Sequence, residues 1–493
     1  MGLAGEIFRE YDIRGVAGRE LTPEATRYIA RAFAAWLQER SSREGGRGSD
    51  RTMLLARDNR LSSPGLAGGV ARGFAEAGWK VVDAGVVPTP VFYWARVRHD
   101  IDAGVMVTGS HNEAIYNGLK LAAGPGTLYG EDIQAIGRLA RAMAAAEPTG
   151  GPQGRCDGAA GPETWSAGRV EPLADYVADV RERIGPLVMA DGAGGDRPLR
   201  VAVDCGSGTA SLVVPDLLAK LGCEVIPLYC ELDGTFPGHW PDPVRPENLV
   251  ELREAVRRGR ADVGVAFDGD ADRLGVADET GEILWGDIIM ILFWREILAK
   301  HPGAAAIVEV KCSQALVEDI RRHGGHPFFY RTGHSLIKAK MREMGALFAG
   351  EMSGHMFFAD EYYGFDDAIY AAARLLRIVA RAGRPLSQLL ADRPRYCSTP
   401  EVRVDCPDRT KSGVVEAVRE SFRAAGLEVV DVDGARVIFP DGGWLLVRAS
   451  NTQPALVVRC EAGTPERLEE LKAEVSTALG RLAKEAGLTL PAW

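Results

Sequence analysis

The sequence predicts three similar α/β domains with parallel or mixed sheets, followed by a smaller α+β domain. Three observations carry this. Strand-like apolar runs alternate with helical patterns over most of the chain, a strand–helix–strand unit recurs three times, and the pattern changes after residue 393.

The first unit reads TMLLARD (52–58), then the helical SSPGLAGGVARGFAEAGW, then KVVDAG (80–85). The second is LRVAVDCGSG (199–208), a helix to about Leu221, and CEVIPLY. AAIVEVKCS (305–313) with a helix through Arg322 makes the third. No strict sequence repeat relates them, so the similarity is architectural. ERSSREGGRGSDR (39–51) and EPTGGPQGRCDGAAGPETWSAGR (147–169) are rich in Gly, Ser and Pro and poor in periodicity. They read as loops or linkers, the second as a domain boundary. After RPRYCSTPEVRVD (393–405) come a helix from Lys411 to Ala425, short strands with turns at VDG and PDGG, and a terminal helix from about Pro465.

A chain of 493 residues with 46% hydrophobic content can fill several cores. Its formal net charge of -10 and lack of a long basic run argue against a large nucleic-acid footprint. The eight cysteines are scattered with no CxxC pair, which favours a reducing compartment and free thiols. MGLAGEIFREYD has no basic start followed by an apolar stretch, and Glu6 stands where a myristoylation signal needs Ser or Thr. The longest apolar run, ILWGDIIMILFW (283–294), contains Asp287 and is too short to span a bilayer. A cytoplasmic protein without membrane attachment is the expectation.

ADVGVAFDGDADRLGVAD (261–278) places Asp268, Asp270 and Asp272 directly after an apolar strand. Three carboxylates at alternate positions repel one another, and a hard divalent cation with oxygen ligands would relieve them. The spacing imitates an EF-hand loop, but Arg273 occupies its glycine position and the entering segment is a strand. Asp268 as an aspartyl nucleophile stays open, at the cost of leaving Ser110 without a task. A solvated acidic turn is the bland alternative.

VMVTGSHNEAIYNGLKL (105–121) turns from a buried strand into hydroxyl, imidazole and amide groups. It lacks the GxSxG frame of a hydrolase elbow, and on an extended loop His111 points away from Ser110. The bland reading is a turn with a hydroxyl cap. The next strand supplies Lys120, whose ammonium can serve as acid, base or phosphate contact. A serine near a metal and a cation suits phosphoryl transfer, where positioning and charge neutralisation matter most. LLVRASNTQPALVVR (445–459) sets Arg448, Ser450, Asn451 and Thr452 between two strands, either a compact anion site or a polar hairpin turn. No GxxxxGK[ST] is present, and GSGTAS (206–211) reads as a helix-start turn. GEMSGHMFF (350–358) offers Glu351, Ser353 and His355, as either a sugar-hydroxyl site or a capped turn.

Taken together, TGSHN, DGDADR, GEMSGH and RASNT resemble the α-D-phosphohexomutases, specifically the bacterial phosphomannomutase/phosphoglucomutase branch. FREYDIRG (8–15), RTGHSLIK (331–338) and YYGFDD (362–367) extend the likeness over essentially the whole chain, in order. The resemblance implies three α/β domains and a smaller C-terminal α+β domain around a central cleft. Their spans would be 1–165 with a phosphoserine loop, 166–282 with a metal loop, 283–394 with a sugar loop and 395–493 with a phosphate loop.

It further implies that Ser110 is the phosphorylated residue, and that Asp268, Asp270 and Asp272 hold Mg2+ together with a Ser110 phosphate oxygen. Glu351 and Ser353 would read sugar hydroxyls, while Arg448, Ser450, Asn451 and Thr452 grip the phosphate that is not transferred. Arg14, Lys120, Arg273 and His334 would line the reacting centre, with Lys120 as general acid/base. Tyr11, His111, Lys311, Thr332, Gly333 and His355 join the substrate-binding set. Met352 favours the mannose/glucose branch. Gln453, where the family pattern has Thr, and the long 147–169 segment depart from it.

The expected reaction interconverts hexose 1- and 6-phosphates through a 1,6-bisphosphate, which also serves as activator. The expected partners are sugar phosphates alone, for a monomer or homodimer. Rival readings are a phosphoglucosamine mutase, a magnesium-dependent sugar phosphatase and a catalytically silent sugar-phosphate sensor.

Overall fold

The apolar runs that read as strands are strands, and the polar loops after them fall at strand ends. The computed structural model describes residues 3–43, 51–147, 168–190, 196–450 and 454–486. They form two compact units, Met1–Trp285 with Ser353–Leu389, and Gly286–Met352 with Leu390–Trp493. Among the described residues no helix is long and apolar enough to cross a membrane.

The first unit holds two mixed sheets. In the first, the strand order is Ile13–Val16, Tyr116–Ala123, Ala103–Val107, Thr52–Arg57, Lys80–Val86 and Gly168–Arg169, with Gly126–Thr127 off the path. Thr52–Arg57 pairs in parallel with both Lys80–Val86 and Ala103–Val107, whereas Tyr116–Ala123 is antiparallel to its neighbours. Every residue of Ala103–Val107 is buried, as its unbroken apolar run requires. Helices Pro23–Arg43 and Ser63–Glu76 cover one face, setting Ile29, Phe33, Val70 and Phe74 in one core with Met53, Leu55 and Val105. Each such buried side chain contributes about 1.5–3 kcal/mol.

The second sheet runs Glu224–Leu228, Arg200–Asp204, Val263–Phe267, Leu274–Asp278 and Ile283–Leu284. Its first three strands are parallel, and Val263–Phe267 and Leu274–Asp278 form an antiparallel pair with the acidic loop at its turn. GSGTAS is indeed a helix-start turn, a short 3-10 segment Thr209–Leu212 before helix Val214–Lys220. Residues 353–389, which the resemblance groups with 283–394, pack with this unit. Helix Ala368–Ala382 is capped by Asp367, which accepts the Tyr370 N–H at 2.8 Å and the hydroxyls of Tyr176 and Tyr362, each at 2.8 Å.

In the second unit, His326–Tyr330, Ala305–Glu309 and Phe348–Gly350 are parallel. Ser313 caps helix Gln314–Arg322. The C-terminal part is an antiparallel sheet ordered Cys397–Ser398, Ala455–Ala462, Trp444–Ala449, Ala435–Ile438 and Glu428–Val430, with Val402–Asp405 also pairing Ala455–Ala462. Helices Asp408–Ala424 and Pro465–Ala486 contribute Val414, Val418, Leu471 and Val475 to its core. Buried Arg436 joins the two parts: it lies 3.7 Å from the Trp444 ring centroid and 4.3 Å from that of Phe329, and donates to the carbonyls of Val310 and Cys312.

Candidate active site

Three strands of the first unit end at loops that meet. After Ala103–Val107 the chain enters TGSHN, after Thr52–Arg57 it enters DNR, and after Val263–Phe267 it enters DGDADR. The serine loop is held from within and from below. Thr108 Oγ1 accepts the Ser110 N–H at 2.9 Å, and Asp58 Oδ2 accepts the Gly109 N–H at 3.1 Å. Fully buried Arg60 donates to the carbonyls of Ser110 (2.7 Å), Asn112 (2.5 Å), Glu113 (2.7 Å) and Tyr116 (3.0 Å), and its Nε donates to Asp58 (3.1 Å). All five of its N–H groups are used.

Ser110 carries φ +49°, a left-handed conformation that a non-glycine residue adopts only where its surroundings impose it. This corrects the expectation for His111. The loop is not extended, so His111 does not point away: its Nδ1 lies 3.1 Å from Ser110 Oγ. Burial, reinforced by Arg273 and Arg14, drives the His111 imidazole well below its ordinary value, so it is neutral. Ser110 Oγ also donates to Asp268 Oδ2 at 2.9 Å.

The acidic loop is wound around Asp268, whose Oδ1 accepts the N–H groups of Asp272 (2.9 Å) and Arg273 (3.1 Å). Ala271 is also left-handed at φ +60°. The loop packs directly on the serine loop: a Cβ at Gly269 would stand 2.6 Å from the Ser110 carbonyl oxygen, so only glycine fits. Asp268, Asp270 and Asp272 are all fully buried.

The cation expected among these carboxylates is, within the chain itself, Lys120. Its Nζ is 2.7 Å from Asp270 Oδ2 and also bonds Asp272 Oδ2. Burial opposes its charge, but Asp270 and Asp272 outweigh burial and hold the ammonium well above its ordinary value. Burial, then the charges of Asp272 and Asp270, push Asp268 well above the usual carboxylate range, so one ammonium does not balance the loop. Carboxylate oxygens of the three aspartates lie within 4.8 Å of one another. Asp270 Oδ1 and Asp272 Oδ1 are buried and accept no hydrogen bond. Three clustered buried carboxylates, two of them with an unbonded oxygen, offer the oxygen donors that a hard divalent cation takes, and the residues fit magnesium.

Two guanidiniums complete this side. Arg14, on Ile13–Val16, is aligned by Asp12 Oδ2 (2.6 Å) and by Asn112 Oδ1 (3.0 Å) of the serine loop. Arg273 donates from Nε to His355 Nε2 at 3.0 Å, and His355 Nδ1 faces Asp366 (3.4 Å) and Asp272 (3.6 Å). His355 is brought there because Gly354, at φ +94°, lies against Leu274, whose N–H donates to the Gly354 carbonyl at 3.1 Å. Half-buried Ser353 and Tyr11 belong to the same unit.

The remaining proposed residues lie in the second unit. Glu309, at the end of its strand, accepts the Lys311 N–H (3.1 Å) and the Thr332 hydroxyl. Lys311 Nζ reaches Glu401 at 3.2 Å; burial opposes its charge, and Glu401 and Glu309 raise it above its ordinary value. Asp433 accepts the Thr332 N–H (3.1 Å) and Arg448 Nε (3.1 Å), binding the two segments together. Gly333, at φ +134°, precedes buried His334, the first residue of helix His334–Met344. Ser450 closes the hairpin by donating its N–H to the Ala455 carbonyl at 2.9 Å, and Lys411 Nζ donates to the Ser450 carbonyl at 2.7 Å. Glu351 is buried. Asn451, Thr452 and Gln453 lie outside the described residues, as does nearly all of 147–169.

Arg60, Asp58, Glu309 and Asp433 escape the sequence reading. The available signal was positional: Asp58-Asn59-Arg60 follow an apolar strand, as Ser110 and Asp268 do, and Glu309 ends one. Thr89 carries no such signal. It starts helix Thr89–Arg98 and donates its hydroxyl to Asp270 Oδ2 at 2.6 Å.

Comparison with known proteins matches this architecture along the chain. Models of the phosphoglucomutase/phosphomannomutase alpha/beta/alpha domains I, II and III match residues 5–146, 174–281 and 285–396, and that of the C-terminal domain matches 401–478. The phosphomannomutase/phosphoglucomutase of Pseudomonas aeruginosa is 42% identical over 95% of this chain and 94% of its own. A phosphoglucomutase of Neisseria gonorrhoeae is 40% identical over 95% of each chain. The crystal structure of a phosphoglucomutase/phosphomannomutase family protein from Burkholderia thailandensis superposes with a TM-score of 0.84 at 38% identity, covering 99% of this chain and 100% of that one.

Proposed function

The chain belongs to the phosphoglucomutase/phosphomannomutase family, and from that premise we propose that it interconverts hexose 1-phosphate and hexose 6-phosphate, of mannose, glucose or both. The observation that carries this reading is the setting of Ser110. Its Oγ touches Asp268 and neutral His111 in a buried cluster with Lys120 and, through Asn112, Arg14. That setting suits a phosphate carrier, because phosphoryl transfer asks for position and neutralised charge.

Phospho-Ser110 gives its group to a sugar hydroxyl, forming a hexose 1,6-bisphosphate. This intermediate turns around, and its other phosphate passes to Ser110. The same bisphosphate primes unphosphorylated enzyme as an activator. Asp268, Asp270 and Asp272, with a Ser110 phosphate oxygen, would hold magnesium, which would supply neutralisation of phosphoryl charge.

Lys120 starts protonated, held so by Asp270 and Asp272, and acts first as acid and then as base. Arg14 and Arg273, aligned by Asp12 and His355, face the same charge, and His334 is assigned to the catalytic set. Glu351 and Ser353 read sugar hydroxyls, and Arg448, Ser450, Asn451 and Thr452 grip the idle phosphate. Tyr11, His111, Lys311, Thr332, Gly333 and His355 complete substrate contact. The work belongs in the cytoplasm, with sugar phosphates as partners and the chain as monomer or homodimer.

The test is glucose 1-phosphate or mannose 1-phosphate with magnesium and a trace of the bisphosphate, followed for 6-phosphate and free phosphate. Accumulation of 6-phosphate that stops on chelation of magnesium is expected. Net release of free phosphate without 6-phosphate would make the protein a sugar phosphatase instead.

A further inference from the structure

The cysteines are scattered along the sequence, but the second sheet brings two of them together. Cys205 follows strand Arg200–Asp204 and Cys230 follows the parallel strand Glu224–Leu228. Their sulfurs lie 3.3 Å apart. Cys205 is fully buried and Cys230 half-buried, so Cys230 is the residue of the pair nearer solvent. A disulfide needs about 2.05 Å, a closure of little more than an ångström.

We propose that Cys205 and Cys230 form a redox-active dithiol whose oxidation to a disulfide slows catalysis by displacing the turn 206–209 that braces the acidic loop.

The turn is tied to both cysteines and to the site. Ser207 donates its N–H to the Tyr229 carbonyl (2.8 Å), and its own carbonyl accepts the Asp233 N–H (3.0 Å), one bond on either side of Cys230. The Ser207 carbonyl also accepts Asn59 Nδ2 at 2.8 Å, beside Arg60. Thr209 donates both its N–H (3.0 Å) and its hydroxyl (3.1 Å) to the Gly269 carbonyl, between Asp268 and Asp270. Gly208 leaves no slack, since a Cβ there would stand 2.7 Å from that same carbonyl oxygen. Ser207, at φ +54°, is already in the left-handed region, so the turn has little freedom to absorb movement of its neighbour.

The chemistry balances with a hydroperoxide as oxidant. The Cys230 thiolate attacks a peroxide oxygen, the O–O bond breaks, and a sulfenic acid and water result. The Cys205 sulfur then attacks the Cys230 sulfur, the S–S bond forms, and a second water leaves. Two thiols lose two electrons and two protons, and hydrogen peroxide becomes two waters. The hydrogen bond with Cys205 holds the Cys230 thiol below its ordinary value, while burial pushes Cys205 well up, which makes Cys230 the attacking sulfur. In a reducing compartment the pair rests as thiols, so the disulfide would be transient.

The reduced full-length protein is treated with hydrogen peroxide, mapped by non-reducing peptide mass spectrometry, and assayed for mutase turnover before and after dithiothreitol. A 205–230 linked peptide, a fall in turnover of about tenfold or more, and recovery on reduction are expected. Cys230→Ser should begin at wild-type turnover and not respond; Cys205→Ala serves the same purpose if that variant does not fold. Absence of the linked peptide, unchanged turnover in the linked enzyme, or an equal loss in either variant would overturn the proposal.

Discussion

Replacing Arg60 with lysine separates the support of the serine loop from its chemistry. Arg60 donates five hydrogen bonds, four of them to main-chain carbonyls between residues 110 and 116. A lysine ammonium has three donors on one atom, so at least two of the five acceptors lose their partner. At about 1.5–3 kcal/mol for a hydrogen bond to a charged group, two losses cost about 3–6 kcal/mol. Part of that appears as lower global stability and part as local loosening of a loop that holds Ser110 at φ +49°. A misplacement of about 1 Å at a reacting atom costs about 100-fold in rate. Arg60→Lys should therefore lower kcat by about that factor at saturating hexose 1-phosphate, while KM changes little, because Arg60 touches loop backbone and not the proposed sugar and phosphate contacts. Urea unfolding and steady-state kinetics on one preparation read both effects. Wild-type kcat together with a wild-type unfolding midpoint would refute the reasoning.

Ser110→Ala should lose mutase turnover without loss of fold, and intact-mass measurement after treatment with hexose 1,6-bisphosphate should show an added phosphate on wild type only; near-normal turnover would remove the phosphoserine. Arg448→Ala should raise KM for the sugar phosphate more than it lowers kcat, and a pure loss of kcat would contradict an anchoring role. Asp367 is raised by burial to about 6, against about 3.9 for an unfolded aspartate. A raised acid stabilises the fold while protonated. Its contribution is complete below about pH 4 and lost as pH rises through about 6, leaving a cost of about 3 kcal/mol above that. Asp367→Asn should accordingly gain stability relative to wild type between pH 4 and pH 7 in urea unfolding, and a constant difference would refute the assignment.

Much of the site was legible because its residues follow apolar strands. Ser110 and the three aspartates stand where a buried run abruptly becomes polar, a local pattern that needs no tertiary knowledge. Arg60 was not legible, since an arginine near a helix start is ordinary until its guanidinium is seen buried under another loop. His111 was misread because alternation along an extended backbone was assumed, and the left-handed turn at Ser110 reverses the direction of the next side chain. The pairing of Cys205 with Cys230 spans 25 positions and exists only because two parallel strands lie side by side.

By itself, the sequence determined the α/β alternation, the strand ends that carry the candidate residues, and the set of loops that marks the family, because these depend on local hydrophobic period and residue type. The tertiary structure alone decided which charges meet: Lys120 between Asp270 and Asp272, Arg273 on His355, and Arg60 beneath Ser110. Those pairings follow from strand register and loop conformation, and burial is what turns them from weak surface attractions into the forces that set protonation and position.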